Sequence, residues 1–241
     1  MKTLVIIQAR MSSLRLPKKM MRRVSGIPLY LYVYRRCQLV DGVSDVVLAT
    51  SDCSQDDCLA EDAMRNQCLV FRGNLENVLS RFTDCAQNFN ASTIVRVCGD
   101  SPFVDVEWIS RTLKHFHAEN LDYVGWNHQE CIPGLDSEII KTSVLTGILN
   151  SNPDENEREH VTLRVRKNIK NYAARLYEWD CMKAEYRGVR VTVDTRFDWE
   201  RATWLSRILM EKGTSLRYSS RDMAMVISQL VSKNENELGR F

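Results

Sequence analysis

The chain has 241 residues, of which 44% are apolar and 27% charged, a composition ordinary for a globular protein with a sizeable core. Its net charge of +2 gives no overall field for nucleic acid or an anionic membrane, so we expect neither partner; an anionic ligand needs a local basic cluster. The length predicts a single α/β domain over residues 1–241.

The chain begins with a short apolar run, Leu4–Ile7, which ends at the polar residue Gln8. This run is too short for the hydrophobic segment of a secretory signal and far too short to span a bilayer. It therefore predicts a buried first strand over residues 3–8, and we expect a cytoplasmic protein.

Eight cysteines are spread along the chain, and no two of them form a CxxC pair. A cytoplasmic location argues against disulfides. A zinc site formed by Cys53, Cys58 and Cys68 is an alternative, but their spacing is not that of a zinc knuckle, so thiols without a metal are favoured.

The first half of the chain alternates short β-branched runs with segments of helical periodicity. The pattern predicts helices over 28–39, 55–66, 75–88 and 106–117, and strands over 43–50, 68–71, 93–98 and 122–126. Asn74 is the expected N-cap of the third helix. This order predicts a mostly parallel sheet covered on both faces. Such sheets bind ligands beyond the carboxyl ends of their strands, where the loops at 8–19, 50–52 and 99–100 fall.

Residues 127–187 are less regular and include the polar stretch 150–159. We expect this segment to be an excursion from the sheet. It is predicted to cover the binding site of an acceptor molecule and to form a dimer contact. After it, Val189–Val193 predicts another core strand, and helices are predicted over 198–212 and 219–231.

The loop after the first strand, Ala9–Lys19, is strongly basic and is called the basic loop below. A triphosphate needs fixed donors and positive charge against its oxygens, which arginine, lysine, serine and backbone N–H groups supply together. The loop matches neither the P-loop nor GxGxxG, so ATPase-type and dinucleotide-binding folds lack their signature. The alternative is a solvated loop without a ligand. Candidate nucleotide-binding residues are Gln8, Ala9, Arg10, Ser12, Ser13, Arg15, Lys19 and, at another strand end, Arg72.

Two predicted strands are followed by an aspartate: Asp100 follows the strand at 93–98, and Asp194 follows the one at 189–193. Mg²⁺ binds one or two carboxylates together with phosphate oxygens and water. Both aspartates are therefore candidate ligands of one shared magnesium ion. The alternatives are that Asp100 makes a turn and that Asp194 caps the next helix.

Carboxylates, an arginine and a histidine lie at short spacing in the irregular segment. They can bind the hydroxyls or a carboxylate of an acceptor, and the alternative is a polar loop followed by a helix cap. These candidate acceptor-binding residues are Asp136, Glu138, Arg158 and His160.

Together these motifs resemble those of one enzyme family. IIQARMSSLRLPKK resembles the opening signature of the acylneuraminate-type cytidylyltransferases, in particular the branch named after spore-coat polysaccharide biosynthesis. FRGNLENVLSRF, VRVCGDSPFVD, PGLDSEI, REHVT and VTVDTRFDWE match that branch in the same order, over about residues 3–209. Lys18 departs from the family, which usually has a glycine there; glycine lets the backbone approach a phosphate closely.

The resemblance implies a Rossmann-like, glycosyltransferase-A-type fold, CTP as the nucleotide, Mg²⁺ as the cofactor and often a homodimer. Members of the family activate sugar acids, such as nonulosonates or ketodeoxyoctonate, as CMP conjugates. The resemblance further implies that Arg10, Ser13, Arg15 and Lys19 hold the phosphates, Asp100 and Asp194 bind Mg²⁺, and Asp136, Glu138, Arg158 and His160 face the acceptor.

For the reaction we expect an in-line displacement, in which an acceptor oxygen attacks the α-phosphorus of CTP and pyrophosphate leaves. Arg15, Lys19 and Asp100 are the expected catalytic residues, because positioning and charge stabilisation dominate phosphoryl transfer. No strong general base is evident. A phosphorylated sugar or polyol acceptor, or another nucleoside triphosphate, therefore remains an alternative. A nucleotide-binding protein without catalysis is a third, which Lys18 favours and the two aspartates oppose.

Overall fold

The computed structural model describes residues 2–127, 129–211 and 216–237. The strands are β1 (Thr3–Gln8), β2 (Arg23–Val24), β3 (Ile27–Pro28), β4 (Asp45–Ser51), β5 (Leu69–Gly73), β6 (Thr93–Cys98), β7 (Tyr123–Trp126), β8 (Glu138–Lys141) and β9 (Ala174–Tyr177). The helices are α1 (Leu29–Cys37), α2 (Asp57–Arg65), α3 (Val78–Asn88), α4 (Val106–Ala118), α5 (Thr142–Asn150), α6 (Glu155–Glu159), α7 (Leu163–Lys167), α8 (Arg196–Glu211) and α9 (Ser220–Glu237). Across these ranges no helix is long and apolar enough to cross a membrane.

One mixed sheet organises the described chain, with the strand order β5-β4-β1-β6-β8-β7-β9. Strands β5, β4, β1 and β6 are parallel, β8 runs antiparallel to both β6 and β7, and β9 is parallel to β7. Strands β2 and β3 form a separate small hairpin. The fold is therefore the Rossmann-like, mostly parallel α/β architecture that the sequence predicted.

Strand β1 lies at the centre of the sheet, and its apolar run is fully buried on both faces. Val5 and Ile7 pack in a cluster with α1, α4, α8 and α9, whereas Leu4 and Ile6 pack in a second cluster with α3 and α5. Successive side chains of a strand point to opposite faces, so a continuous apolar run is what a strand between two helical layers requires. The residues that follow β1 are thereby held at the middle of the sheet edge.

The start of α3 differs from the prediction. The helix begins at Val78, and its N-cap is Asn77, whose side chain accepts from the N–H of Ser80 at 3.0 Å. Asn74, the predicted cap, instead accepts from the N–H groups of Glu76 and Asn77 and shapes the preceding turn. Both asparagines are of a residue type that suits an N-cap. The side chain of Asn74 is used in the turn before the helix, so Asn77 serves as the cap.

The prediction of a core strand over Val189–Val193 was wrong. The segment is extended and its valines are buried at 191 and 193, but within the described residues it joins no ladder. Isolated bonds hold it: among them, the N–H of Val191 donates to the Pro133 carbonyl and that of Val193 to the Asp100 carbonyl, each at 2.8 Å. It therefore still reaches the edge of the sheet beside Asp100.

The irregular segment 127–187 contributes two strands to the sheet, of which β8 was not predicted. It supplies β8, which lies between β6 and β7, and β9 at the sheet edge. Its expected roles in covering an acceptor and in a dimer contact stay predictions. Lys212, the last residue of the helix predicted over 198–212, lies outside the described residues.

Candidate functional site

Two loops meet at the carboxyl edge of the sheet because β1 and β6 are paired in register. Gln8, the last residue of β1, lies opposite Cys98, the last residue of β6. The N–H of Gly99 donates to the Gln8 carbonyl at 2.8 Å, and a Cβ at position 99 would stand 2.9 Å from the Cβ of Ala9. Glycine at position 99 therefore lets the basic loop and Asp100 approach this closely.

A cleft of about 580 Å³ opens between these loops. The structure brings together in it most predicted nucleotide-binding residues, both predicted magnesium ligands and one predicted acceptor residue. The lining residues are Gln8, Ala9, Arg10, Ser12, Ser13, Leu14, Arg15, Lys19, Met20, Cys98, Asp100, His160 and Asp194. Sequence reasoning missed Leu14, Met20 and Cys98, because apolar side chains and a lone thiol carry no signal for phosphate chemistry.

Lys19 lies at the centre of the cleft, between the two aspartates. Its Nζ donates to Asp100 Oδ2 at 2.7 Å, to Asp194 Oδ1 at 3.1 Å and to the Val193 carbonyl at 3.1 Å. Burial acts to lower the pKa of Lys19, but the two carboxylates outweigh it, and the pKa is raised above its ordinary value. The side chain therefore stays an ammonium ion at neutral pH.

Two arginines of the basic loop stand at the rim of the cleft. Arg15 pairs with Asp194 Oδ1 at 3.1 Å while 65% of its side chain stays exposed, and Arg10 lies 3.7 Å from Glu159 Oε1. Exposed ion pairs of this kind contribute little to stability. Both guanidinium groups can therefore change partners at small cost when an anion enters.

Asp194 is available to the cleft because a different residue caps α8. Thr195 Oγ1 accepts from the N–H of Asp198, within the first turn of α8, at 3.3 Å. In return Asp198 Oδ2 accepts from the N–H groups of Thr195, at 2.8 Å, and of Asp194, at 3.1 Å. The alternative that Asp194 itself caps the helix is thus wrong. Its carboxylate contacts Lys19 and Arg15 instead.

The predicted acceptor residues are not gathered in one place. Among the four, which all lie in the described chain, His160 alone lines the cleft. Arg158 is exposed and donates to the Asn152 side chain at 3.4 Å, while Asp136 accepts from the N–H of Gly134 at 2.7 Å and shapes that turn. The short sequence spacing of these residues did not carry over into a shared site.

Glu138 is buried in a polar cluster beside the cleft. Its carboxylate accepts from Arg96 at 2.6 Å, from the Tyr123 hydroxyl at 2.5 Å and from the Thr162 hydroxyl at 2.8 Å. Burial acts to raise the pKa of Glu138, but these partners, led by Arg96, hold it below its ordinary value. Arg96 also donates to Oε1 of Gln8, which lines the cleft, at 3.4 Å. Glu138 therefore holds Gln8 indirectly, through Arg96.

Arg72 is exposed, lies outside the cleft and forms hydrogen bonds at the end of β4. Its guanidinium donates to the carbonyls of Ser51 and Cys53, at 2.9 Å each, and pairs with Asp57 at 2.7 Å. A strand-end arginine was predicted to meet the nucleotide. The structure places it on β5, which β4 separates from β1 and the basic loop.

Lys18, at the position where the family that the motifs resemble usually has glycine, adopts a left-handed backbone conformation. Its φ of 56° and ψ of 30° are left-handed, and its side chain is exposed outside the cleft lining. A left-handed conformation costs an L-residue about 1–2 kcal/mol. The lysine side chain stays outside the cleft, so the substitution does not by itself argue against nucleotide binding.

We expect Lys18→Gly to raise the melting temperature by roughly 2–4 °C, since the relief of left-handed strain exceeds the entropy that glycine adds to the unfolded chain. Differential scanning calorimetry measures the shift. Lys18→Ala is the matched control, because it removes the same charge but keeps the strain. An equal rise in both variants would show that crowded positive charge, not backbone strain, limits stability here.

The sequence matches the model of a cytidylyltransferase family over residues 4–222. The spore coat polysaccharide biosynthesis protein SpsF of Bacillus subtilis is 34% identical over 206 residues, which are 82% of this chain and 83% of that protein. A cytidylyltransferase structure from Leptospira borgpetersenii superposes with a TM-score of 0.86 at 27% identity and covers 98% of both chains. A CMP:2-keto-3-deoxy-manno-octonic acid synthetase in complex with CTP shares the fold, with a TM-score of 0.66 at 18% identity over 88% of this chain and 100% of that one.

Proposed function

Since the chain belongs to the cytidylyltransferase family and is a CTP:sugar nucleotidyltransferase, we propose that its acceptor is a sugar acid, a nonulosonate or similar. The enzyme activates this acid as a CMP conjugate for the synthesis of a surface polysaccharide or glycan. The observation that carries the proposal is the cleft in which Lys19 and Arg15 face Asp100 and Asp194. The name of the Bacillus relative and the sugar acid of the CTP-bound structural relative support it.

In this proposal the basic loop supplies most of the groups that bind the nucleotide. Arg10, Arg15 and Lys19 bind the triphosphate oxygens, and Ser12 and Ser13 add hydroxyl donors along the same wall. An acceptor oxygen then attacks the α-phosphorus in line, the bond to the β-phosphate oxygen breaks, and pyrophosphate leaves with its charge neutralised by these cations. The protein thus acts by holding the two substrates and by stabilising charge.

The cleft also fits a divalent cation. Asp100 and Asp194 already converge on one cationic point, the Lys19 ammonium. Two carboxylates plus nucleotide phosphates match the preference of Mg²⁺, and the described residues contain no group of three or more His, Cys, Asp or Glu that would make an all-protein metal site. Asp100 and Asp194 would therefore hold Mg²⁺ jointly with the nucleotide. When bound, the ion supplies charge neutralisation and orientation at the phosphates.

The acceptor side of the cleft is marked by His160. Its imidazole lines the cleft next to Glu159, which pairs with Arg10. A sugar-acid hydroxyl must lose a proton as it attacks, and histidine is the side chain that most often takes such a proton. We include His160 in the proposal as an acceptor-facing residue and candidate proton acceptor.

Pyrophosphate release tests the proposed reaction. The protein is incubated with CTP, Mg²⁺ and a panel of sugar acids, with phosphorylated sugars and polyols as the comparison panel. Release that depends on a sugar acid supports the proposal. Release with only the phosphorylated acceptors, or with none of them, contradicts it.

Nucleotide choice has its own expected result. With Mg²⁺ and CTP at 100 times its dissociation constant, the melting temperature should rise by about 5–10 °C, because a ligand of the folded state stabilises it. UTP, ATP and GTP at equal concentration are the controls, and a smaller rise is expected with each. An equal or larger rise with another nucleotide would replace CTP in the proposal.

A further inference from the structure

Asp56 lies directly behind the basic loop and is completely buried. It follows β4, in the short 3-10 turn Ser54–Asp56. Its Oδ1 accepts from the main-chain N–H of Met11 at 2.6 Å. Its Oδ2 accepts from the hydroxyl of Ser51 at 2.5 Å and from the N–H of Ser51 at 3.2 Å. One carboxylate thus ties the start of the basic loop to the end of β4.

This arrangement is not that of an ordinary helix cap. Asp56 precedes α2, yet its side chain makes no capping bond to that helix. A buried carboxylate loses its hydration, and this loss is tolerated when several donors satisfy its oxygens. The donors here come from two other segments, so the side chain links those segments and does not serve its own helix.

The positive charge of a buried arginine, Arg81, interacts with the negative charge of Asp56. Arg81 is fully buried, and its pKa is lowered by burial first and then by Arg10, while Asp56 and Asp52 oppose that lowering. The guanidinium of Arg81 donates to the Asn74 carbonyl at 2.6 Å. Asp56 therefore offsets buried positive charge on the side from which Arg10 reaches the cleft.

We infer that Asp56 is a positioning residue for nucleotide binding, which fixes the main chain at Met11 so that Arg10, Ser12 and Ser13 point into the cleft; this rests on the proposed function. Beyond Met11 the loop is held by its own turns, by the buried side chain of Leu16 and by the contacts of Arg15 and Lys19 with the two aspartates of the cleft. Among the described residues, Asp56 is the side chain outside the loop that accepts from a loop main-chain N–H. Losing that bond frees the loop at its start.

The test compares Asp56→Asn with wild type. Asparagine keeps the shape but offers one accepting atom in place of two, so Met11 or Ser51 loses its acceptor. We expect the dissociation constant and the KM for CTP to rise about tenfold, with kcat changed less than about twofold. In the absence of nucleotide, trypsin should cleave after Arg10 and Arg15 about tenfold faster than in wild type.

Ser51→Ala is the matched control. It deletes the 2.5 Å bond from the Ser51 hydroxyl to the same carboxylate, and the 3.3 Å bond that this hydroxyl accepts from the Cys53 N–H, but leaves the Met11 bond in place. We expect its CTP affinity and its trypsin cleavage to match those of wild type. Equal effects from both variants, or no effect from Asp56→Asn, would overturn the inference.

Two further readouts keep the inference open to refutation. If Asp56→Asn does not fold, hydrogen exchange of wild type decides: the Met11 amide should exchange much more slowly than that of Leu14, and equal rates would overturn the inference. If wild type binds no CTP, the proposed function fails, whereas trypsin cleavage and hydrogen exchange without nucleotide still judge the role of Asp56.

Discussion

Replacing Asp100 with asparagine is expected to lower kcat by about 100- to 1,000-fold, while the melting temperature stays close to that of wild type. Asparagine preserves the shape of the side chain but removes the negative charge of Asp100, whose Oδ2 accepts a hydrogen bond from Lys19 Nζ at 2.7 Å. The fold should tolerate the change, because the Asp100 main-chain carbonyl still accepts from Val193 and Lys19 keeps Asp194 as a partner. Pyrophosphate release under saturating CTP and acceptor measures the loss.

Asp122→Asn is the matched control for this experiment. Asp122 also pairs with a lysine, Lys141, at 2.9 Å, but it precedes β7 and so lies at the opposite edge of the sheet. Its loss should leave kcat within about twofold of wild type. Turnover of Asp100→Asn within a few-fold of wild type would remove Asp100 from the mechanism.

Replacing Lys19 with methionine is expected to lower kcat/KM by about 1,000-fold, through weaker CTP binding and slower turnover together. Methionine keeps the length and the apolar stem but removes the ammonium group. Asp100 and Asp194 then face each other without the cation between them, so the melting temperature should also fall. Isothermal titration with CTP separates the loss in binding from the loss in turnover.

The pH dependence of this variant follows from the raised pKa of Lys19, whose ordinary value is 10.5. A lysine with a raised pKa stabilises the fold fully below the unfolded value, and this contribution is lost only as the pH rises through the folded value. The difference in melting temperature between wild type and Lys19→Met should thus be constant from about pH 6 to 9. Lys141→Met serves as the control for activity, and a loss of kcat/KM as large there would contradict a specific role for Lys19.

The strands of the central sheet were predictable because they are buried on both faces. Strands β1 and β6 have the predicted bounds, since an apolar run such as Leu4–Ile7 is stable when it lies in a sheet covered by helices on both faces. Strand β8 was missed, because Glu138–Lys141 contains two apolar residues flanked by charged ones that find partners only in the tertiary structure. At 189–193 the alternating valines are buried as in a strand, but other parts of the chain supply their hydrogen bonds.

Most residues proposed to bind the nucleotide line one cleft, whereas those proposed to bind the acceptor do not share a site. The basic loop and Asp100 follow neighbouring parallel strands, and topology alone brings such residues together. Glu138 could not be placed in this way, because its burial depends on Arg96 and Tyr123 from two other strands. Asp56 gave no signal either, since a carboxylate at the start of a helix is expected to cap it.

The ammonium of Lys19 and the guanidinium of Arg15 compensate the charges of Asp100 and Asp194 within the cleft itself. Arg15 is exposed and changes partners at small cost, but an anion that draws the largely buried Lys19 ammonium toward itself deprives both carboxylates of this counter-ion, and that cost is subtracted from the affinity of the anion. A ligand that brings positive charge along with its phosphates avoids the cost, because its own cation can replace the displaced side chains. We therefore expect the cleft to bind bare anions, such as free pyrophosphate or inorganic phosphate, more weakly than phosphates that carry a cation, because the ion partners must be exchanged.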